Sequence, residues 1–271
     1  MKEKSIFNLG ATAILLILLT SVSCTPKVTE FSFAFLTDTH LQPEKMAVDG
    51  FQLAIEKVIQ LEPDFVLTGG DQVFDAFDQD FERADLLYNL YLENSRLLPM
   101  PLYFTMGNHD IFGLGTDAGV DPGHPEYGKK MFTSRQAESR YYSFDHKGWH
   151  FMVLDSIQPA EGGGYHGGID AVQMAWITED LKKLGAGTPI VISTHIPFVS
   201  VSFQLREEPV EYRNNGYVID NAWEVINLFQ GYNLRLVLQG HLHASEDILS
   251  GCIRFVMGGA VCSGWWDGPL R

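Results

Sequence analysis

The sequence is short of basic residues, and this shortage excludes one large class of partner. Its 271 residues include 19 Lys and Arg against 34 Asp and Glu, which gives a formal net charge of −15. Such a surface repels polyanions, and the sequence contains no basic stripe that could follow a nucleic-acid backbone. We therefore expect no nucleic-acid polymer among the partners of this protein.

Internal repeats and linkers rich in Pro, Gly or Ser are also absent, so the sequence offers no boundary between domains. Hydrophobic residues make up 45% of the chain and aromatic residues 12%, which allows a large core and excludes a disordered chain. Cysteine is scarce, with three in all. Two interpretations are open for Cys252 and Cys262: a disulfide in an oxidising compartment, or two small buried side chains.

The N-terminus has the pattern of a targeting segment. Lys2 and Lys4 precede the mostly apolar stretch Ala11–Leu19, which is short for a membrane-spanning helix, and small residues then lead to Cys24. The pattern resembles a bacterial lipoprotein signal, although Ser21 stands where Leu is usual. This resemblance implies export to the bacterial cell envelope and a lipid anchor on Cys24. A plain secretory signal or an uncleaved anchor, with a periplasmic or secreted protein, is the alternative.

We assign residues 1–24 to the signal and residues 30–271 to one domain, and we expect the chain to stop short of its relatives at the C-terminus. Within the domain, short apolar runs predict strands and helical spacing predicts helices. The predicted strands are Phe31–Leu36, Phe65–Leu67, Leu102–Phe104, Pro189–Ile192 and Leu234–Leu238, with hairpin-like segments at Tyr141–Phe144, His150–Leu154, Asp247–Leu249 and Ile253–Met257. The predicted helices are Val48–Gln60, Asp80–Leu98, Asp170–Leu184 and Val218–Phe229. This alternation predicts a layered α/β fold with a sheet of mixed direction.

Side chains of the metal-ligating types follow five of these strands. In chain order they are Asp38, His40, Asp71, Asn108, His195, His241 and His243. Ligands in α/β sheets gather at the carboxyl ends of strands, so we expect all of these side chains at one edge of the sheet.

The residue types fit a pair of divalent cations that act on a phosphoester. Hydrolysis near neutral pH needs a hydroxide nucleophile and neutralisation of charge on the phosphoryl oxygens, and two cations roughly 3.5–4 Å apart supply both. Asp71 is placed to bridge them, because its two oxygens can be shared. Asp38 and His40 alternate on one extended segment and would point the same way, and His241 and His243 repeat that spacing.

The motifs together resemble the signature of the calcineurin-like metallophosphoesterase family, over residues 31 to about 260. The matching residues are Asp38-Thr-His40, Gly70-Asp71, Gly107-Asn108-His109-Asp110, His195 and Gly240-His241-Leu-His243. The resemblance implies a four-layer α/β/β/α sandwich of two mixed sheets with a dinuclear metal site at the strand ends. It assigns Asp38, His40, Asp71 and His243 to one metal and Asp71, Asn108, His195 and His241 to the other.

The resemblance also assigns His109 as the catalytic residue that contacts the substrate phosphate or protonates the leaving group; the alternative is a residue that only caps its turn.

Asp75, Asp110 and Asp155 are candidates for carboxylates that orient imidazoles, or are turn formers. Trp265 and Trp266 would stack on a base or sugar, or pack in the core or an interface. The long segment Phe112–Arg140 and the glycine cluster Gly162–Gly168 are candidates for substrate selection, or are plain surface loops.

Two departures from the family pattern narrow the subgroup. No Arg follows Asp71, which argues against the protein Ser/Thr phosphatases, and Phe74 stands where purple acid phosphatases carry an iron-binding Tyr. What is left resembles the bacterial phosphodiesterases and phosphomonoesterases. Oxygen and nitrogen ligands without thiolate suit two ions of Mn, Fe or Zn, as well as Co or Ni.

The expected function is thus divalent-metal-dependent hydrolysis of a small anionic phosphoester by a metal-bound hydroxide. The substrates would be small phosphodiesters or phosphomonoesters such as nucleotides. The alternative is an exported metal-containing surface binding protein without turnover. The sequence does not fix the oligomeric state.

Overall fold

The computed structural model describes residues 30–160, 163–205 and 216–268 of the chain. The targeting segment predicted over residues 1–24, including Cys24, lies outside these ranges. None of the helices within the described ranges has the length and apolar content needed to cross a bilayer.

Strands and helices alternate along the first half, and hairpins are added in the second. The strands are β1 (Phe33–Leu36), β2 (Phe65–Thr68), β3 (Leu102–Tyr103), β4 (Tyr142–His146), β5 (Trp149–Val153), β6 (Ile157–Pro159), β7 (Tyr165–Gly167), β8 (Pro189–Ser193), β9 (Asn233–Gln239), β10 (Glu246–Ser250) and β11 (Ile253–Met257). The helices are α1 (Ala47–Leu61), α2 (Phe81–Ser95), α3 (Lys130–Arg135), α4 (Ala171–Leu181) and α5 (Ala222–Asn227), with a 3₁₀ helix at Ser202–Leu205.

The strands form two main sheets. The first has the order β1-β2-β3 with both pairings parallel, and the second has the order β10-β11-β9-β8-β5-β4. The second sheet is parallel in its centre and antiparallel at both ends, where β10 pairs with β11 and β4 with β5. The larger sheet is therefore mixed, as predicted, whereas the described strands of the smaller sheet are all parallel. Strands β6 and β7 form a separate hairpin.

The alternation of side chains along each strand builds the layers. Phe65 and Leu67 of β2 pack with Phe151 and Val191 of the larger sheet, and this cluster fills the space between the sheets. Val66, on the opposite face of β2, belongs to the cluster that holds the apolar faces of α1 and α2. On the far side, the inner faces of α4 and α5 pack on β8 and β9. The result is the four-layer arrangement that the family resemblance implies.

Five elements are shorter than the sequence predicts, namely β1, β3, α2, α4 and α5. Pairing with side chains or loops explains the bounds of β3 and α5. Strand β3 ends at Tyr103 because the hydroxyl of Tyr142 accepts from the Phe104 N–H at 2.8 Å and donates to its carbonyl at 3.0 Å. Helix α5 starts at Ala222 because Ile219 and Asp220 donate their N–H groups to Pro197 and Gly167 at 2.9 Å each. The local sequence pattern identifies none of these three partners, Tyr142, Pro197 and Gly167.

Cys252 and Cys262 are both free thiols, so of the two interpretations open from sequence the disulfide does not hold. Cys252 is exposed in the turn between β10 and β11, whereas Cys262 is buried. The alternative of two buried side chains therefore holds for Cys262 alone.

Candidate metal centre

The seven candidate ligands come together at the carboxyl ends of the strands. Asp38 and His40 follow β1, Asp71 follows β2 and Asn108 follows β3 in the smaller sheet. His195 follows β8, and His241 and His243 follow β9 in the larger sheet. Asp38, His40, Asp71, Asn108 and His195 are buried, and the other two histidines are partly exposed. Both sheets therefore contribute to one polar cluster between their edges.

One group of donors gathers around His40 and His243. Their Nε2 atoms lie 3.1 Å apart. The His243 Nε2 is 3.4 Å from Asp38 Oδ1, and the His40 Nε2 is 3.5 Å from Asp71 Oδ2. Two ring nitrogens and two carboxylate oxygens thus face a common point. Ring nitrogens held this close repel each other unless a proton or a cation lies between them, so the group fits a metal ion.

A second group gathers around His195. Its Nε2 lies 3.1 Å from Asp71 Oδ2, 3.1 Å from Asn108 Oδ1 and 3.2 Å from His241 Nδ1. These two nitrogens and two oxygens form a second set of converging donors. The two groups contain the same residues that the family resemblance assigns to the two metals.

Asp71 belongs to both groups through a single oxygen. Its Oδ2 faces His40 on one side and His195 on the other. Its Oδ1 accepts the backbone N–H of His109 at 2.8 Å. The expectation that both oxygens are shared between metals is therefore corrected: one oxygen faces both groups, and the other fixes the carboxylate.

Hydrogen bonds on the far side of two imidazoles set which nitrogen faces the site. His40 donates from Nδ1 to the Phe74 carbonyl at 3.1 Å, and His195 donates from Nδ1 to the Gly69 carbonyl at 2.8 Å. A carbonyl can only accept, so both rings carry a proton on Nδ1, and in the neutral form that binds a metal each ring presents the Nε2 lone pair to the site. The Nδ1 of His243 instead lies 3.9 Å from the Cys262 sulfur.

The backbone of the ligand residues is left-handed at five of the seven positions. The φ angles are 54° at Asp38, 43° at His40, 53° at Asp71, 74° at His241 and 53° at His243. Asp38 and His40 therefore do not alternate on an extended strand, as the sequence interpretation held, and neither do His241 and His243. Their side chains converge because tight left-handed turns aim them. Such conformations cost energy and persist where surrounding contacts enforce them, often at functional sites.

Two glycines allow the loops to approach closely. A Cβ on Gly107 would lie 2.1 Å from Asp71 Oδ1, and one on Gly70 would lie 2.3 Å from His195 Nδ1. Glycine at position 107 therefore lets the Asn108 loop approach Asp71 closely. Glycine at position 70 lets its loop approach His195 and also adopts a φ of 96°, which side chains disfavour.

The buried Asp110 carboxylate ties two of the ligand loops together. It accepts backbone N–H groups from Asp71 and Gly107 on Oδ2 at 2.9 and 2.8 Å. On Oδ1 it accepts from Gln72 and Val73 at 2.9 and 3.2 Å. Burial and the Asp71 charge raise the pKa of Asp110 to about 7, and the N–H donors oppose that rise. Asp110 therefore orients loops, not an imidazole as proposed from sequence.

The other two candidate carboxylates differ in role. Asp75 pairs with His109, its Oδ1 lying 3.2 Å from the ring Nδ1, so it is placed to orient that imidazole. Asp155 instead forms buried ion pairs with Lys129 and Arg140 at 2.6 and 2.7 Å. Its Oδ1 also accepts the Ile157 N–H at 3.1 Å, so of the two interpretations from sequence the turn former holds for Asp155 and the imidazole partner does not.

Burial and charge divide the four ligand imidazoles into two pairs. Burial lowers the pKa of His40 to about 4, and burial with the nearby His195 charge lowers the pKa of His241 to about 3. Burial also acts to lower the pKa of His195 and His243, but the Asp71 and Asp38 carboxylates outweigh it and raise these to about 9 and about 10. Without metal at pH 7, His195 and His243 are therefore cationic while His40 and His241 are neutral.

We expect metal loading at pH 7 to release about two protons per chain, since a ligating imidazole must be neutral and His195 and His243 start with pKa values of about 9 and about 10. Calorimetric titration of the metal-free protein in buffers of different ionisation enthalpy measures this number. The release should fall as the pH rises through these two values. A binding enthalpy independent of the buffer at pH 7 would contradict the assignment.

The ligand cluster forms the floor of a cavity of about 400 Å³, a size suited to a small molecule. Its lining residues are His40, Asp71, Asn108, His109, Tyr165, Tyr217, His241, Leu242, His243 and Trp265. Sequence reasoning missed Tyr217, Leu242 and, outside the lining, Cys262. Of the two segments that the sequence offers for substrate selection, the glycine cluster contributes Tyr165 to the cavity. No residue of the other segment, Phe112–Arg140, lines it.

Comparison with known proteins gives a consistent result. Residues 31–245 match the sequence profile described as calcineurin-like phosphoesterase. A probable cyclic nucleotide phosphodiesterase of Synechococcus sp. (strain WH7803) is 23% identical over 218 residues, which cover 77% of this chain and 72% of that protein. Purple acid phosphatase 23 of Arabidopsis thaliana is 26% identical over 148 residues, 54% of this chain but only 29% of the plant protein.

Among solved structures, a dimetal phosphatase from Danio rerio superposes with a TM-score of 0.62 at 11% identity. The match covers 85% of this chain and 88% of the fish protein. At this identity the likeness concerns the fold, which is the layered α/β arrangement described above.

Proposed function

We propose that this chain, a member of the calcineurin-like phosphoesterase family, is a phosphoric ester hydrolase. It uses two divalent metal ions to hydrolyse small phosphomonoesters or phosphodiesters. One observation carries the two-metal assignment. Asp71 Oδ2 faces His40 Nε2 at 3.5 Å and His195 Nε2 at 3.1 Å, with further donors behind each imidazole. A single carboxylate oxygen that faces two donor groups can bridge a pair of adjacent cations.

In this proposal Asp38, His40, Asp71 and His243 hold one ion. Asp71, Asn108, His195 and His241 hold the other. Two bound cations supply activation of the attacking water and neutralisation of charge on the phosphoryl oxygens. Mn, Fe or Zn fit a donor set of carboxylate, amide and imidazole groups.

His109 acts on the substrate from the edge of this cluster. Its backbone N–H is bound to Asp71 and its ring Nδ1 to Asp75, which fixes the imidazole at the cavity wall. Burial acts to lower the pKa of His109, but the Asp71 and Asp75 carboxylates outweigh burial and raise that pKa. In the metal-free protein the imidazole can therefore be cationic near neutral pH. A cationic ring at this position can donate from Nε2 to a phosphoryl oxygen or to the departing alkoxide.

Three observations support a small anionic substrate. The cavity volume of about 400 Å³ suits a nucleotide-sized molecule. The chain's net charge of −15 disfavours polyanions. The Synechococcus relative is described as a probable cyclic nucleotide phosphodiesterase, which supports nucleotides as one candidate class.

Location in the bacterial cell envelope, anchored by a lipid on Cys24, is a further part of the proposal. It is supported by the basic start, the apolar stretch and the small residues before Cys24. Fatty-acid labelling of the wild-type chain and of a Cys24→Ala variant in a bacterial host tests it. Equal absence of label from both would contradict the lipid anchor.

The activity is tested with purified residues 25–271, first stripped of metal with a chelator and then reloaded with Mn or Zn. We expect the stripped protein to be inactive and the reloaded protein to hydrolyse p-nitrophenyl phosphate, bis-p-nitrophenyl phosphate or both. The ratio of the two rates separates monoesterase from diesterase activity. A folded protein that binds two metals per chain but hydrolyses neither ester would favour the binding-protein alternative.

A further inference from the structure

The segment Val261–Gly268, which we call the C-terminal clasp, lies beyond the residues 31–245 that match the family profile, yet it is bound to the metal centre. Val261 and Cys262 donate backbone N–H groups to the carbonyls of Thr37 and Asp38 at 3.0 and 3.1 Å. The clasp therefore runs along the backbone that carries Asp38 and His40. What it contributes to the cavity is a property of this chain and does not follow from the matched family residues.

The two adjacent tryptophans of the clasp have different environments. Trp266 donates from Nε1 to the carbonyls of Thr39 and His40 at 3.0 and 3.1 Å, which anchors the clasp from behind the site. Trp265 has the opposite orientation: it lines the cavity, and 37% of its surface is exposed. Trp266 therefore packs against the ligand loop and cannot stack on a ligand in the cavity. Of the two tryptophans, Trp265 is the one that can have the stacking role predicted from sequence.

The Trp265 ring lies directly beside the catalytic groups. Its centroid is 4.1 Å from that of His40, 4.9 Å from that of His243 and 5.7 Å from that of His109. A φ of 56° holds its backbone in the left-handed region, which is uncommon for a bulky residue. The large Trp265 side chain is thus partly exposed to water beside a polar site. Exposure of apolar surface is unfavourable, and an aromatic ligand that stacked on the ring would remove it.

Two tyrosines stand on the other side of the site. The rings of Tyr165 and Tyr217 lie 6.3 and 6.5 Å from the ring of His241, which belongs to the second donor group. Trp265 instead lies beside His40 and His243 of the first group. The cavity therefore has a charged floor for a phosphoryl group and aromatic walls on both sides of it.

From this arrangement we infer that Trp265 forms a subsite for a flat aromatic ring on the organic part of the phosphoester, while Tyr165 and Tyr217 bound the cavity on the side of the second donor group. The enzyme then selects substrates that carry a nucleobase or an aryl group over purely aliphatic phosphoesters. Trp265 is the specificity-determining residue, because it is partly exposed and lines the cavity beside the groups that act on phosphorus. This inference rests on the proposed hydrolase function and names the substrate class of the same site.

AMP and ribose 5-phosphate are the matched pair that tests the inference, since they share the same 5′-phosphate ester and differ only in the base. For a diesterase the equivalent pair is the methyl diester of AMP and the methyl diester of ribose 5-phosphate, neither of which has an aryl leaving group. The wild-type protein is compared with Trp265→Ala and Trp265→Phe. Trp223→Ala is the control, because Trp223 is 74% exposed on α5 and does not line the cavity.

In Trp265→Ala we expect kcat/KM for the base-bearing ester to fall roughly tenfold or more, mainly through KM, as loss of one stacking contact predicts. The ester without a base should change less than about twofold, and Trp265→Phe should recover much of the loss. An equal loss for both esters, with reduced metal content, would instead make Trp265 a packing support for His40 and His243. No loss for either ester would also overturn the subsite.

Calorimetric binding of AMP and ribose 5-phosphate to the metal-loaded protein separates failure of the inference from failure of the proposed function. If the wild-type protein hydrolyses neither ester, the hydrolase proposal fails for these substrates. The subsite is still tested, because tighter binding of AMP that is lost in Trp265→Ala supports it. Equal affinity for the two ligands in the wild-type protein overturns it.

Discussion

Replacement of Asp71 by Asn is expected to lower kcat/KM by about three orders of magnitude or more, and to leave the chain unable to hold two metals. The backbone N–H of His109 lies 2.8 Å from Asp71 Oδ1 and would hold the amide oxygen of Asn in that place. The amide nitrogen must then occupy the Oδ2 position, which faces His40 and His195. An amide NH₂ cannot act as a metal ligand, so both ions would lose their shared oxygen.

Metal content per chain and the rate on the better p-nitrophenyl substrate measure this effect. The change is nearly isosteric, so the fold should survive, and circular dichroism checks that it does. Asp49→Asn makes the same chemical change at an exposed position of α1 and should leave both quantities unaltered. An Asp71→Asn protein with two metals and wild-type activity would show that Asp71 is not the bridge.

Replacement of Asp110 by Asn is expected to destabilise the fold by about 2 kcal/mol, because an amide cannot accept all four backbone N–H groups that the carboxylate accepts. Removal of a buried charge beside Asp71, whose cost is evident in the raised pKa of Asp110, offsets part of the loss. Whichever oxygen becomes NH₂, two buried N–H donors would face another donor. The loops of Asp71 and Gly107 would lose their common partner, so metal affinity should also fall. For a domain of this size the melting temperature should drop by roughly 4–8 °C.

Thermal unfolding is measured at pH 8 and without metal, above the Asp110 pKa of about 7, so that the wild-type carboxylate is ionised. Asp80→Asn is the matched control. Asp80 caps α2 by accepting the Arg83 N–H at 2.9 Å, and Asn caps a helix about as well as Asp. A melting temperature for Asp110→Asn within about 2 °C of the control would contradict the role given to this carboxylate.

The local spacing of apolar and capping residues is sufficient to predict the strands and helices that position the metal ligands. Helix α1 was predicted at Val48–Gln60 and spans Ala47–Leu61, since its apolar spacing is strong. Asp80 and Asp170, at the predicted starts of α2 and α4, are the N-caps of those helices, a role fixed by chemistry within one turn. The convergence of the ligands followed from their position after strands.

Other features depend on contacts between distant parts of the chain. The hydroxyl of Tyr142, 38 residues from Phe104, ends β3. The clasp meets His40 across 226 residues, and nothing near Trp265 in the sequence reveals that it lines the site while Trp266 packs behind it. The left-handed turns at Asp38 and His40 were also invisible, because the D-x-H spacing fits an extended strand equally well.

The most direct test of the two-metal assignment is anomalous X-ray diffraction from crystals of residues 25–271 loaded with Mn or Zn. We expect two anomalous peaks per chain, one among Asp38, His40 and His243 and one among Asn108, His195 and His241. Asp71 Oδ2 should lie between them, at ligand distance from both, with a separation near 3.5–4 Å. A single peak, or two peaks that do not share Asp71, would contradict the assignment.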